Sequence, residues 1–140
     1  DFSGGAANTN PNTGLFPIYS PNMLVHFVTY AHSIKTLFCA GYTFYGNKAQ
    51  VAIMDQTNGA VKKVVFEIDA YAVGPLMYIP NKFGKGELTL YVQTAGGAAP
   101  VWQLWALTPS GDHSLEASAK LINTYTGNYY TYFDGAAVAY

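Results

Sequence analysis

Arginine is absent from this 140-residue chain, and cysteine occurs once. Charge of either sign is scarce. Seven lysines face eight carboxylates for a net charge of −1, and charged residues make up 11% of the chain, against roughly a quarter in an average domain. With no guanidinium to fork onto phosphate or guanine and no basic surplus, nucleic acid is not an expected partner. The lone Cys39 rules out an internal disulfide and a cysteine metal cluster. It sits in the run Leu37-Phe38-Cys39-Ala40, where it reads as a small buried hydrophobe. No apolar run approaches the roughly 18 residues of a helical membrane span, so none is expected. There is no Asn-x-Ser/Thr sequon, which leaves only O-linked glycans open. The Gly-x-Ser-x-Gly elbow, the phosphate loop and the dinucleotide fingerprint are missing too, so the expectation is that the chain is not an enzyme.

What remains is apolar and aromatic. Half the residues are hydrophobic, and twelve tyrosines lead an aromatic share of 16%. This much apolar character argues against disorder, and the length suits one packed core. The chain opens at Asp1, which reads as a processed, secreted product; an extracellular or cell-surface location is expected.

Two parts are distinguished. Residues 1–22 read as an extended N-terminal arm. Its first stretch is rich in Gly, Asn and Thr with Phe2 as the single large side chain, and Leu15, Phe16, Ile18 and Tyr19 follow, interrupted by Pro17. Such a segment has no periodicity of its own and is expected to lie on a neighbouring molecule. Residues 23–140 read as a single antiparallel β-sandwich or jelly roll of about 8–10 strands, because β-branched and aromatic runs alternate with turn signals every 8 to 12 residues or so. Gly46-Asn47 and Asn58-Gly59 are hairpin signals, the second the stronger. Val61 to Val73 reads as one strand broken at Gly74-Pro75. Within it Val64, Phe66, Ile68 and Ala70 share one face, and Lys63, Glu67 and Asp69 the other. Ser114 to Ile122 alternates Leu115, Ala117, Ala119 and Leu121 with polar residues, and is read as a strand in preference to a short helix capped by Ser114.

Several strands are apolar on both faces. In Leu37 to Tyr45, Phe38, Ala40, Tyr42 and Phe44 oppose Leu37, Cys39, Thr43 and Tyr45. In Met23 to Tyr30, Leu24, Val28 and Tyr30 oppose Met23, Val25 and Phe27. In Val101 to Leu107, Trp102, Leu104 and Ala106 oppose Val101, Trp105 and Leu107. A sandwich of this size has one core layer, so the second apolar face is expected to meet a partner, with the chain's own loops as the alternative cover. Depletion of charge with enrichment of Tyr, Trp and Phe fits an interface core. The interface candidates are Phe2, Leu15, Phe16, Ile18, Tyr19, Trp102, Trp105, Tyr129, Tyr130 and Tyr132. Being three apart on a strand, Trp102 and Trp105 point to opposite faces; sequence does not say which is inside, and the outward one is expected to be exposed in a free subunit.

Other chemistry is weaker. Glu67 and Asp69 stand side by side as a glycosidase pair would, at about 5–9.5 Å, but nearby Lys63 makes a solvated charged face the simpler reading. His26 and His32 could meet across a turn, without a carboxylate at metal-ligand spacing. No cofactor is expected, although Asp55 and Asn58 place oxygens on a tight loop where a weak Ca²⁺ site is conceivable. The leading expectation is a structural subunit of an extracellular filament. It polymerises with copies of itself by β-strand addition of the arm and by its apolar outer sheet faces. The architecture looks like that of donor-strand filament subunits and of jelly-roll coat proteins. The alternatives are a carbohydrate-binding β-sandwich module, with carbohydrate as the partner, and a viral capsid or decoration subunit.

Overall fold

A computed structural model describes residues 23–43, 47–81, 86–109 and 119–128. The expected arm lies outside them. Among the described residues eight strands run in order: β1 (Met23–Ala31), β2 (Thr36–Thr43), β3 (Lys48–Met54), β4 (Val61–Asp69), β5 (Ala72–Ile79), β6 (Glu87–Ala95), β7 (Val101–Leu107) and β8 (Lys120–Thr126). They form two four-stranded antiparallel sheets, β1–β4 and β5–β8, in which every strand lies beside its sequence neighbour. The two sheets pack face to face as an all-β sandwich. A jelly roll needs Greek-key connections; the described strands form two plain meanders that change sheet once.

The turns follow local chemistry. A hairpin forms at the Asn58-Gly59 signal, with a loop wider than two residues. Asp55 N–H donates to Ala60 C=O at 2.7 Å, Gly59 N–H to Asp55 C=O at 2.8 Å, and only the glycine takes a positive φ, +72°. At the β2–β3 turn Asn47 adopts φ +50°, a conformation Asn tolerates better than most residues.

The break in Val61 to Val73 falls at Ala70-Tyr71, not at Gly74-Pro75. There the chain passes from one sheet to the other: Ala70 N–H donates to Asn47 C=O at 3.0 Å and Tyr71 N–H to Gln93 C=O at 2.7 Å. Gly74 and Pro75 sit within β5, where the register against β6 shifts between Val73 and Leu76. β5 is an edge strand, and a bulge on an edge tolerates a proline that cannot donate.

Bulges also correct the face assignments. In β4 the register against β3 shifts twice, so Val51 faces Phe66 while Ala52 faces Val64. Val64 is therefore exposed on the outer side and Val65 buried. Lys63, opposite Ile53, does not share a face with Glu67 and Asp69, which oppose Gln50 and Lys48. In β1 a shift between Val25 and Phe27 places Val28 and Tyr30 on the same side as Met23 and Val25, and Phe27 on the other. One extra residue inverts everything beyond it.

Between the sheets, Phe38, Ala40, Ala49, Val51 and Phe66 meet Val73, Leu76, Tyr78, Leu88, Leu90, Val92 and Leu107. A second cluster of Met23, Cys39, Ala52 and Met54, with Val25, Leu37 and Val61 against it, lies on the opposite face of the first sheet. The expectation of a single core layer is thus corrected: Met23, Cys39 and Ala52 are fully buried within one chain. The sandwich is sealed along β1 and β5. Tyr78 N–H donates to Thr29 Oγ1 at 3.0 Å, the Tyr78 and Ser33 hydroxyls lie 2.6 Å apart, and the His32 ring meets Tyr78 edge-on at 5.2 Å.

Candidate functional site

The two tryptophans separate as their spacing requires. Trp105 opposes Leu90 and packs against the inter-sheet core, its ring 6.1 Å from that of Phe66. Its Nε1–H donates to Gln103 Oε1 at 3.1 Å. Trp102 opposes Gln93 on the outer face of the second sheet, yet has 0% exposure. The expectation that the outward tryptophan would be exposed in a free subunit is not met. Gly74 makes room for it: a Cβ there would stand 2.9 Å from Trp102 Cζ3 and 2.9 Å from Tyr91 Cβ. Phe2, Leu15, Phe16, Ile18, Tyr19, Tyr129, Tyr130 and Tyr132 lie outside the described residues, as do His113 and residues 110–118.

The four sheet edges are not alike. β4 carries Lys62, Lys63, Glu67 and Asp69 together with two register shifts. β5 carries Pro75, and β1 and β5 cover one another. Charge, proline and bulges are the usual protection of an edge. β8 is different. It runs further than expected, to Thr126, and Lys120 is its single charge. A register shift places Ile122 beside Leu121, and these two are 51% and 43% exposed. Among the described residues nothing pairs with its outer edge.

A second feature was not visible in the sequence. The crossover at Ala70-Tyr71 helps form an open groove of about 600 Å³ lined by Tyr42, Asn47, Asp69, Ala70, Tyr71 and Thr94. These residues come from both sheets, and no local pattern joins them. The available signal was Tyr71, an aromatic near Asp69 in a run that reads as continuous strand.

The remaining candidates are engaged in local structure. Asp55 Oδ1 accepts from the Thr57 N–H at 2.8 Å and from the Thr57 hydroxyl, and Lys62 Nζ stands 3.5 Å from Oδ2. The Thr57 hydroxyl, then its N–H, hold the Asp55 carboxyl down to about 2, with Lys62 adding a smaller pull. Asn58 Oδ1 accepts from Ala60 N–H at 2.9 Å. Glu67 accepts from Gln50 Nε2 at 2.6 Å, and Asp69 pairs with Lys48, whose ammonium is held above its usual range by that contact. His26 and His32 are six residues apart along β1 and its turn, roughly 20 Å at about 3.3 Å per residue, and do not meet. Among the described residues no helix is long and apolar enough to cross a membrane.

No family model, curated protein or solved structure matches this chain. Function therefore rests on the surfaces themselves.

Proposed function

We propose that this chain is a structural subunit of an extracellular or cell-surface filament, in which the N-terminal arm of one copy adds as a strand to β8 of the next. The observation that carries this reading is the β8 edge: seven residues with one charge, an exposed Leu121-Ile122 pair and no outer partner among the described strands. The arm suits the role. Its 22 residues reach roughly 70 Å when extended, three times the ~23 Å length of β8. Leu15, Phe16, Ile18 and Tyr19 offer side chains for a groove, while Pro17 has no N–H to leave unpaired. Backbone hydrogen bonds would give such a contact its strength, and alternate side chains its register. A head-to-tail contact of this kind makes a filament unless it closes, which is all that separates it from a viral shell.

The test is sedimentation and negative-stain electron microscopy of the full chain beside Ile122→Lys and a chain lacking residues 1–22. Fibres from the parent, and folded single subunits from both variants, are the expected result. A parent that stays monomeric at millimolar concentration refutes the proposal.

A further inference from the structure

The groove at the sheet crossover has no part in strand addition, and none of its residues lies in β8. We infer that it is a binding site for a neutral carbohydrate chain.

The groove is rigidly built. Its floor is the crossover, hydrogen-bonded to the first sheet through Ala70 and to the second through Tyr71. Tyr71 is 62% exposed, but its ring is not loose. It lies against Gly96, where a Cβ would stand 2.5 Å from Cε1 and 2.6 Å from Cζ. An aromatic ring thus rests on bare backbone while most of its surface faces water. A free tyrosine side chain would lose rotamer freedom on stacking; this one has already lost much of it.

Polar groups surround the ring. Tyr42 OH donates to Asn47 Oδ1 at 2.9 Å, which fixes the amide and leaves its two N–H donors for a ligand, with the Tyr42 oxygen as an acceptor. Asp69 gives Oδ1 to Lys48 and keeps Oδ2 as an acceptor. Thr94, from the second sheet, adds a hydroxyl oxygen as an acceptor, its proton directed at Val101 C=O 3.5 Å away.

This inventory selects a ligand class. Among the described residues no cation lines the groove, and Lys48 is already paired with Asp69, so phosphate or sulfate esters find no counter-charge there. The ammonium on Asp69 equally disfavours a metal ion. Among the described residues Ala70 is the sole aliphatic one in the lining, which leaves an apolar ligand little to bury. A molecule with one apolar face for the Tyr71 ring and hydroxyls around its rim fits the set, and a pyranose has both. The volume lies within the roughly 300–1,000 Å³ usual for small-ligand sites, and the open shape accepts a chain that runs on past either end.

The test is calorimetry and amide NMR on the full chain with four soluble hexasaccharides: β-1,4-linked glucose, xylose and N-acetylglucosamine, and α-1,4-linked glucose. At least one should bind saturably, with shift changes centred on Asn47, Asp69, Ala70, Tyr71 and Thr94 in the unmodified protein. Tyr71→Ala should weaken binding tenfold or more and Asp69→Asn several-fold. Tyr71→Phe and the distant aromatic control Tyr30→Ala should bind as the parent does. Absence of binding by all four sugars, shift changes centred elsewhere, or unchanged affinity in a folded Tyr71→Ala each overturns the proposal.

Discussion

Trp102 should behave as a core residue although it faces away from the core. Its indole lies on the outer side of the second sheet, across β6 toward Gly74, and has no exposed surface. A tryptophan buries roughly 150–250 Å², which at about 25 cal/mol per Å² corresponds to about 4–6 kcal/mol. Measured truncations of buried Phe and Trp to Ala cost about 3–5 kcal/mol. Trp102→Ala should therefore remove about 3–5 kcal/mol, roughly a fifth or more of the stability of a typical domain. With roughly 3–5 °C per kcal/mol for a chain of this size, the melting temperature should fall by about 10–25 °C. Trp105→Ala should cost less, because Trp105 is only partly buried. Thermal and urea melts followed by circular dichroism measure both. A second readout does not depend on a truncated variant folding: Trp105→Phe leaves Trp102 as the only indole, and acrylamide should barely quench its fluorescence. A Trp102→Ala protein that melts within a few degrees of the parent, or ready quenching in Trp105→Phe, refutes the reasoning. If that variant instead loses assembly alone, Trp102 is an interface anchor.

Cys39 is fully buried, and desolvation pushes its thiol up to about 12, outweighing the backbone hydrogen bond at Ala52. At pH 8 roughly one thiol in ten thousand is then ionised, so a disulfide reagent should react fully in guanidinium and hardly at all with the native chain; rapid native labelling contradicts this. Asp55 gives a pH prediction. Its folded carboxyl is depressed to about 2, so its contribution to stability is complete above its ordinary range near 4 and fades as pH falls through 2. NMR titration should place its midpoint near 2 in the parent and closer to the ordinary value in Thr57→Val; an ordinary midpoint in the parent rules out the Thr57 hydrogen bonds.

Much of the architecture is written locally. Met23 to Tyr30, the alternating Leu88, Leu90 and Val92, and the Asn58-Gly59 turn are β signals that no tertiary context reverses, and a chain with so little charge leaves both faces of its strands fit for burial. The opposition of Trp102 to Trp105 also follows from sequence alone, because side chains three apart on a strand must diverge. The candidate site was less legible. The Leu121 side of β8 could be read from alternation, whereas the exposed Leu121-Ile122 pair depends on a register shift against β7. The groove around Tyr71 depends on a crossover hidden inside a run that reads as one continuous strand.

Periodicity within one strand thus determined that this chain makes sheets and, between bulges, which neighbours oppose one another. Tertiary structure decided which side is inside. A face assignment propagates only as far as the next extra residue, and whether His26, Val65 or Ile122 becomes that residue is set by the strand it pairs with. The same holds for Ala70-Tyr71. Its backbone leaves the first sheet because donors on consecutive residues find acceptors on opposite sheets, Asn47 and Gln93, and those acceptors exist only once both sheets have formed.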